Sequence, residues 1–340
     1  MFKKQIIIIF VAFQLSICAG CGDDDSSARA NRASIREIEL TGPVAEPAAE
    51  LSGLAWYDDN LVLLPQYPDR FASTTYGALF YIPKHEILSS IDAETDSPVT
   101  PQSIDLHVAD LAALIPGFDG FESIVFVGQA VYMTIEAFSP SMRGYIISGT
   151  ISPDLSGIFL DTSTLQEIPL GGAVPNASDE SITYAGGKLL TFYEANGANI
   201  SQAPVANVLS ANLEPETPLS FPAIEYRVTD ATKADDEGCF WIINYMYPGD
   251  EADYRPSVDA FSDISGVIPD PSGRVERLIE LRYTEHGIVA TGRRPIDLVL
   301  ENDDISRNWE GIAQLDDRGF ILATDKFPKT MLAFVQMPSH

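Results

Sequence analysis

Carboxylates recur in this sequence directly before short apolar runs. The stretch Asn308–Gln314 reads NWEGIAQ, and its Glu310 precedes an apolar run. Four other segments resemble it: SGLAW from Ser52, ESIVF from Glu122, ESITY from Glu180 and DATKA from Asp230. Four of the five first residues, which we call the lead residues, are acidic, and a small residue follows each of them. A position repeated in this way indicates either similar loop charges or the members of one site.

A second polar position follows each lead residue at a constant distance. Counting 14 residues forward gives Gln66, Glu136, Glu194, Asn244 and Thr324. Each of these stands at the end of a second apolar run, beyond a turn. Because the first and last residues of a β-hairpin lie side by side, the constant spacing predicts five hairpins in one register.

The remaining pattern predicts an all-β fold. Short β-branched and aromatic runs are broken by Gly, Pro, Asp and Asn, and no long amphipathic helix is evident. An Ile-x-apolar strand precedes each lead residue, at 38–40, 104–106, 168–170, 224–226 and 296–298. The unit that begins at Glu310 has three runs only, whereas the first Ile-x-Leu strand belongs to no preceding unit. We therefore predict a five-bladed β-propeller closed by an N-terminal strand. A six-bladed ring is the alternative, although no sixth copy is found.

The lead residues are the candidate metal ligands. In a propeller the first strand of each blade lines the central channel, so these side chains would meet at one end of it. Facing carboxylates need either raised pKa values or a bound cation. Oxygen donors without His or Cys favour a hard cation, and calcium tolerates irregular, high coordination better than magnesium does. We expect Ca²⁺ to be held by Ser52, Glu122, Glu180, Asp230 and Glu310. Alternatively, these side chains only cap loops and accept backbone N–H groups.

The five polar residues that follow the lead residues by 14 positions would form a second polar ring at the same end, or mouth, of the channel. Because loops on a rigid scaffold commonly carry function, this ring predicts a ligand site at the mouth. Glu136 or Glu194 could serve as general base for a water molecule activated by the metal. The candidate substrate contacts are Gln66, Arg70, Asn244 and Lys326. The alternative is a solvated polar rim without catalytic function.

The N-terminus has the pattern of a secretory targeting segment. A basic MFKK is followed by the apolar QIIIIFVAFQLSI and then by CAGC, which ends at Cys21. The Ala-Gly-Cys ending resembles a bacterial lipobox, although Cys18 stands where Leu is usual. We expect a lipoprotein signal peptide over residues 1–20, lipidation of Cys21, a flexible tether over 21–33 and a single propeller domain over 34–340. An ordinary cleaved signal peptide is the alternative.

Charge and cysteine content restrict the partners. The formal net charge is −28, and removal of residues 1–20 with Lys3 and Lys4 would take it to −30. Such a surface repels nucleic acid and anionic membranes. Cys239 is the one cysteine beyond residue 21, so disulfides do not hold the fold together. We expect an exported monomer, lipid-anchored to the bacterial cell envelope on its periplasmic or outer surface, that takes a small-molecule substrate or an envelope ligand and contacts membrane only through its anchor.

A family resemblance rests on the blade-opening segments AELSGLAW, FESIVF, DESITY and NWEGIAQL. They resemble those of the calcium-activated nucleotidase (apyrase) family. The resemblance implies a five-bladed propeller with a central calcium held by glutamates and serine oxygens, here Ser52, Glu122, Glu180 and Glu310. Asp230 stands where that family has serine. The paired arginines expected after the third motif are absent, and LLTFYEANGAN stands there instead.

The same short segments also resemble bacterial phytase-like and esterase-like propellers. The function expected from these resemblances is calcium-dependent hydrolysis of a small phosphate or ester at the channel mouth. The alternative is a non-catalytic cell-envelope module in which calcium is structural and the mouth binds a glycan or a partner.

Overall fold

A computed structural model describes residues 32–47, 49–72, 77–93, 97–247, 249–262, 274–299 and 306–338. The predicted signal peptide, Cys21 and almost all of the predicted tether lie outside these residues. In the part of the chain that is described, no helix combines the length and the apolar character needed to cross a membrane.

The protein is mostly β and propeller-like, with four sheets of consecutive antiparallel strands. The largest sheet has eight strands and consists of two four-stranded halves. The first half contains β2 (Leu51–Tyr57), β3 (Asn60–Pro65), β4 (Ala78–Pro83) and β5 (Gln102–His107). The second half contains β6 (Phe118–Val127), β7 (Ala130–Phe138), β8 (Met142–Ile151) and β9 (Gly157–Ile168). A short parallel pairing of β5 with β9 joins the two halves.

The remaining sheets follow in chain order. The next has four strands: β10 (Asp179–Ala185), β11 (Lys188–Tyr193), β12 (Val205–Leu209) and β13 (Leu219–Ser220). The five-stranded sheet contains β14 (Arg227–Ala231), β15 (Cys239–Met246), β16 (Val275–Thr284), β17 (Gly287–Ala290) and β18 (Ile296–Asp297). The last contains β19 (Trp309–Leu315), β20 (Gly319–Thr324), β21 (Leu332–Gln336) and β1 (Ile35–Ile38). Among the described residues, the helices α1 (Lys84–Asp92), α2 (Leu111–Leu114) and α3 (Glu251–Tyr254) lie in connections.

The N-terminal strand completes the C-terminal sheet, as the sequence predicts. β1 pairs antiparallel with β21, with Ile35 opposite Val335 and Ile38 opposite Leu332. The two ends of the described chain therefore share one sheet.

Three of the predicted Ile-x-apolar strands differ from the structure. Of the segment 38–40, only Ile38 lies in a strand, at the end of β1. The segment 224–226 forms no strand, and the outer strand of its sheet is β13 instead. β9 ends at Ile168, since Pro169 has no N–H to donate to a strand ladder. The segments at 104–106 and 296–298 do coincide with strands β5 and β18.

The innermost strands form the centre of the fold. β2, β6, β10, β14 and β19 contact one another in cyclic order, with β19 returning to β2. Apolar clusters fill the space between neighbouring sheets. Leu64 packs with Ile124, for example, and Phe192 packs with Phe240. Burial of these clusters is the main source of stability in the fold and fixes the positions of the inner strands.

Candidate functional site

Each inner strand carries a β-bulge at its lead residue. The pairing register shifts between Leu51 and Gly53, Phe121 and Ile124, Asp179 and Ser181, Val228 and Ala231, and Trp309 and Gly311. The lead residues Ser52, Glu122, Glu180, Asp230 and Glu310 all lie inside these bulges. A bulge leaves one residue unpaired and redirects its side chain. The repeated sequence position is therefore also a repeated structural one.

Close packing of the inner strands explains the small residue after each lead position. A Cβ added to Gly53 would lie 3.2 Å from the Ser123 Cα, and one added to Gly311 would lie 2.8 Å from the Leu54 Cγ. Larger side chains at these positions would push the inner strands apart.

Five glutamates gather at one end of the inner strands. We call Glu122, Glu136, Glu180, Glu194 and Glu310 the glutamate cluster. Burial raises the pKa of Glu122 well above its usual value, and the charges of Glu136 and Glu310 raise it further. Glu180 has a pKa raised first by burial and then by Glu194 and Glu310. The structure thus brings three predicted metal ligands and both predicted bases together.

Glu136 also has a raised pKa. Burial and the charge of Glu194 raise its pKa to about 7. A carboxyl group with this pKa is partly ionised near neutral pH. One oxygen of Glu136 and one of Glu194 are buried without a hydrogen-bond partner.

Neutral and cationic groups surround the cluster. Gln66 Nε2 donates to Glu122 Oε1 at 3.2 Å. Tyr245 donates its hydroxyl to Glu310 Oε1 at 2.9 Å. The Arg227 guanidinium contacts Glu194 Oε1 and donates to Asp250 Oδ2 at 2.6 Å. Arg227 therefore brings a positive charge to the cluster and shares it with two carboxylates.

Asp230 lies away from the glutamates despite its lead position. Its Oδ1 accepts the Ser123 hydroxyl at 2.6 Å, and its Oδ2 accepts the Ile312 N–H at 2.9 Å. Burial raises the pKa of this carboxyl group to about 8. Since Ser123 is on β6 and Ile312 is on β19, Asp230 ties three inner strands together. Its two oxygens are both engaged by protein donors.

Thr229, rather than Asp230, is the structural counterpart of Ser52. Ser52 Oγ donates to the Phe121 carbonyl at 2.7 Å, and Thr229 Oγ1 donates to the Trp309 carbonyl at 2.6 Å. Each hydroxyl thus bonds the residue that precedes a cluster glutamate on the neighbouring strand. Thr229 is the first residue inside the bulge of β14, as Glu122 is in β6, so the sequence alignment is one residue out in this unit.

The predicted 14-residue spacing places the polar residue correctly in three hairpins and is out of register in the other two. Glu194 N donates to Ser178 O, and Gln66 N donates to Glu50 O, as the 14-residue spacing requires. In the last hairpin Asp325 N donates to Asn308 O, so Asp325 takes the place predicted for Thr324. The physical reason is turn length. Two residues connect the strands at Tyr57, Val127 and Ala185, but three follow Leu315 and more follow Ala231.

Asn244 is consequently not at the mouth. Tyr245 pairs with Arg227 and takes the ring position. The Asn244 amide donates to the Glu225 and Arg227 carbonyls at 2.8 and 2.9 Å and accepts from Arg277 Nε at 2.8 Å. It is fully buried. The Asn244 side chain is thus hydrogen-bonded inside its own sheet and does not face the channel mouth.

The other two predicted substrate contacts converge on one carboxylate. Arg70 donates to Glu50 Oε1 at 2.9 Å and lies 4.0 Å from the centre of the Tyr67 ring. Lys326 Nζ lies 3.7 Å from Glu50 Oε2. Both cationic side chains remain about half exposed, whereas Glu50 is buried.

Several site residues were not identified from the sequence. Arg227 begins an inner strand three residues before Asp230. Its positive charge close to an otherwise acidic set of lead residues could have identified it as a member of the site. Tyr254 belongs to the insertion 248–273, whose composition predicts only a surface loop. In the structure α3 brings the Tyr254 ring to 5.2 Å from the Arg227 Cζ. No local sequence pattern predicts the contact between Tyr254 and Arg227.

The donor set is chemically uniform. Among the described residues, no three Asp, Glu, His or Cys side chains stand close enough, as they lie, to enclose a metal ion. The acceptor atoms of the cluster are carboxylate oxygens, which suit a hard cation in kind, although Gln66 and Arg227 already donate to two of the carboxylates.

No known family profile and no curated protein matches the chain. The chain is similar in shape to a soluble aldose sugar dehydrogenase from Escherichia coli, with 10% identity, a TM-score of 0.43 and coverage of 89% of this chain and 99% of that one. It is also similar to the mannose phosphorylase MPT-4 from Leishmania mexicana, with 12% identity, a TM-score of 0.47 and coverage of 92% and 91%. An alpha-L-arabinofuranosidase from Lactobacillus brevis has 11% identity, a TM-score of 0.46 and coverage of 87% and 92%.

Proposed function

We propose that this protein is a five-bladed β-propeller that binds Ca²⁺ at the glutamate cluster and hydrolyses a small phosphate or carboxylic ester there. The blade number is supported by the cyclic contacts of five inner strands and by the apolar clusters between successive sheets. We further propose that it is exported and lipid-anchored through Cys21. The sequence pattern around that residue supports this address.

Unpaired acidity carries the calcium proposal. Burial raises the pKa values of all five glutamates, and charges of other cluster members raise those of Glu122, Glu136, Glu180 and Glu310 further. Arg227 is already divided between Glu194 and Asp250. A divalent cation would supply the missing positive charge and let the carboxylates ionise together.

Glu122, Glu180, Glu310 and an oxygen of Ser52 would hold the ion. When bound, the ion would neutralise these carboxylates and polarise an ester or phosphoryl oxygen of the substrate. Asp230 contributes differently from the sequence expectation, because both of its oxygens hold the strands that carry these ligands.

The chain's own residues would supply proton transfer and binding. Glu136, with a pKa of about 7, is suited to accept a proton from the attacking water near neutral pH. Glu194 keeps Arg227 in place. Arg70 and Lys326 would exchange Glu50 for an anionic group of the substrate, and Gln66 would contact a neutral part.

A second function is favoured by the state of these cations. Arg227, Arg70 and Lys326 are each already close to a carboxylate. Such pairing weakens the attraction for a phosphate. On this basis the alternative is a non-catalytic envelope module, in which calcium is structural and the mouth binds a glycan or another envelope ligand.

The hydrolase is tested with a broad panel of phosphate and carboxylic esters, with calcium and with a chelator. We expect turnover of some member, abolished by the chelator and by Glu194→Gln, and unchanged in the control Glu167→Gln on the exposed part of β9. If no ester of the panel is hydrolysed with calcium present, the hydrolase proposal is refuted and the binding module is the remaining function.

Calcium itself is tested by thermal denaturation. We expect calcium to raise Tm, and Glu180→Gln to diminish the increase. An unchanged Tm together with no metal in elemental analysis would refute the calcium proposal. The anchor is tested by mass spectrometry of the detergent-extracted protein, in which Cys21→Ser should lose the acyl mass; a parent protein that carries no acyl mass would contradict it.

A further inference from the structure

A cavity of about 170 Å³ lies at the end of the inner strands that is opposite to the glutamate cluster. Its wall is formed by residues of β2, β6, β14 and β19 and by the two residues that follow β14. Leu54, Ile124 and Ile312 in this wall each stand two positions beyond a lead residue, towards the turn of their hairpin. The cavity is therefore inside the ring of inner strands and separate from the acidic mouth.

Most of the wall is apolar, and its polar side chains are largely engaged within the protein. Trp56 Nε1 donates to the Gln314 carbonyl at 2.7 Å, and the Gln314 amide donates to a carbonyl in its own turn at 3.2 Å. Thr232 Oγ1 accepts the Trp241 N–H at 2.9 Å. An apolar cavity of about 150 Å³ stays dry and binds benzene, so a cavity of this size and kind suits one aromatic ring.

Lys233 is the charged residue of this wall. Its Nζ donates to the Phe126 carbonyl at 3.3 Å, which is longer than the usual range of about 2.7–3.2 Å. The same Nζ lies 6.0 Å from the centre of the Tyr184 ring. Because β10, which carries Tyr184, stands between β14 and β6 in the ring, the Lys233 side chain reaches across this end of the channel.

Lys233 differs from the other lysines of the described chain in its lack of an acidic partner. Each of the others forms an ion pair with an Asp or Glu side chain: Lys84, Lys188, Lys326 and Lys329. Within the described residues, no carboxylate pairs with Lys233. In a protein with a formal net charge of −28, this ammonium group leaves a positive charge available to an anion at the edge of the cavity.

The surrounding charges favour an anion with a single negative charge. Turns at this end of the inner strands carry Asp58, Asp235 and Asp316. Their charges repel a dianion such as phosphate more strongly than they repel a carboxylate, and one ammonium group balances one carboxylate. The ligand that matches the wall and its charge is thus apolar, small and singly negative.

We propose that this cavity binds a small aromatic carboxylate, with the ring between Leu54, Ile124 and Ile312 and the carboxylate on the Lys233 ammonium group. The apolar wall would remove the ring from water, and Lys233 would exchange its long hydrogen bond to Phe126 for a charge-assisted one. Ordinary ligand pockets start at about 300 Å³, so this cavity limits the ligand to about one ring. The site needs neither calcium nor ester hydrolysis and goes beyond the proposed function.

Fluorine NMR titration of the full-length protein tests the site with two probes of nearly equal shape. They are 4-fluorobenzoate and its neutral counterpart 4-fluorobenzyl alcohol. The titrations contain a chelator, so that no calcium ion at the mouth can hold the carboxylate. We expect 4-fluorobenzoate to bind with a Kd of about 1 mM or tighter, and the alcohol to bind about fivefold more weakly.

Variants of Lys233 separate the contribution of charge from that of space. Lys233→Met should weaken the binding of 4-fluorobenzoate about fivefold and leave that of the alcohol within about twofold, whereas Lys233→Arg should retain both affinities. Lys188→Met is the matched control, because Lys188 lies at the same end of the fold but is paired with Glu216. It should bind both probes as the parent protein does.

Crystals soaked with 4-bromobenzoate show where the ligand lies, and an anomalous peak is expected between Leu54, Ile124 and Ile312. A peak at the mouth beside Arg70 instead would overturn the proposal, as would no binding of 4-fluorobenzoate by the parent protein at about 10 mM. Equal affinity of the parent protein and Lys233→Met for 4-fluorobenzoate, or an equal loss of both probes in that variant, would contradict the contact between Lys233 and the carboxylate.

Discussion

The two ends of the inner strands differ sharply although they are built from the same short segments. At one end lies the glutamate cluster. At the other end a cavity of about 170 Å³ is lined mainly by apolar side chains, among them Leu54, Ile124 and Ile312, with Lys233 at its edge. Glu122 and Ile124 are only two positions apart in the sequence, as are Glu310 and Ile312.

This contrast shows how the fold divides its tasks. Below the bulges the strands pair regularly and bury apolar side chains, which stabilises the ring. At the bulges the ladder is interrupted and charge is concentrated. The buried carboxyl groups of the acidic end reduce stability when they ionise, so this end depends on the apolar end and on Asp230 to stay assembled.

The largest effect is expected where the two ends meet. Asp230→Ala leaves the Ser123 hydroxyl and the Ile312 N–H without their acceptor and releases three inner strands. We expect a loss of about 4 kcal/mol in the free energy of unfolding, measured with urea in a chelator. Asp316→Ala in the exposed turn after β19 is the control and should cost under about 1 kcal/mol. A loss at Asp230 as small as the control's would contradict its role as a strand tie.

A smaller but pH-sensitive loss is expected at the acidic end. Arg227→Met leaves Glu194 and Asp250 without their cation. We expect it to cost about 3 kcal/mol at pH 8, and less at pH 5, where buried carboxyl groups can be protonated. Urea unfolding at both pH values measures this, with Arg227→Lys as a milder variant. Equal losses at the two pH values would indicate lost packing rather than lost charge.

Because of the acidic end, the calcium-free protein should also lose stability as the pH rises. The folded-state pKa of Glu136 stands at about 7, above its ordinary value of 4.5. The folded protein therefore holds this proton more tightly than the unfolded chain does. The associated stability is complete below about pH 4.5 and is lost as the pH rises through about 7, a change of about 3 kcal/mol.

Thermal denaturation in chelator between pH 5 and pH 8 measures that loss. Calcium should reduce it by stabilising the ionised carboxylates, and Glu136→Gln should reduce it without calcium. A Tm that rises across this range in chelator would contradict the assignment.

The smallest effect is expected at the apolar end. The Lys233 ammonium donates to the Phe126 carbonyl at 3.3 Å, and its side chain is exposed. Lys233→Met should change the free energy of unfolding by less than about 0.5 kcal/mol, in the urea assay used for Asp230. A loss above about 1.5 kcal/mol would mean that the cavity edge contributes to holding the ring.

The sequence predicted the all-β fold and the closing strand because both follow from periodic patterns. The same periodicity located Glu122, Glu180 and Glu310 correctly in one cluster. Counting failed where turns changed length, at Asn244 and Thr324, because a hairpin register depends on its turn and not on the strands alone. Asp230 matched the other lead residues in type but not in position, because Thr229 is the first residue inside its bulge and an acidic residue one place later looked like the lead residue.

Arg227 and Tyr254 could not be predicted for a different reason. Their roles come from contacts between distant segments, which no local spacing encodes. Tyr254 reaches the site only because Asp259, Glu225 and Arg277 fix the insertion. The sequence pattern thus indicated the repeated lead glutamates, whereas Arg227 and Tyr254 were identified only from the tertiary structure.

The pairing of β1 with β21 has a consequence for the order of assembly. Its partners Ile35 and Val335 are 300 positions apart, so the first strand is synthesised long before its neighbour exists. Until then it is an unpaired edge, and the seam between the last and first sheets stays open. Closure is thus a late, long-range step that follows translation of the final strand. A product that stops before Leu332 would lack that seam and expose apolar surface, which marks it for proteolysis.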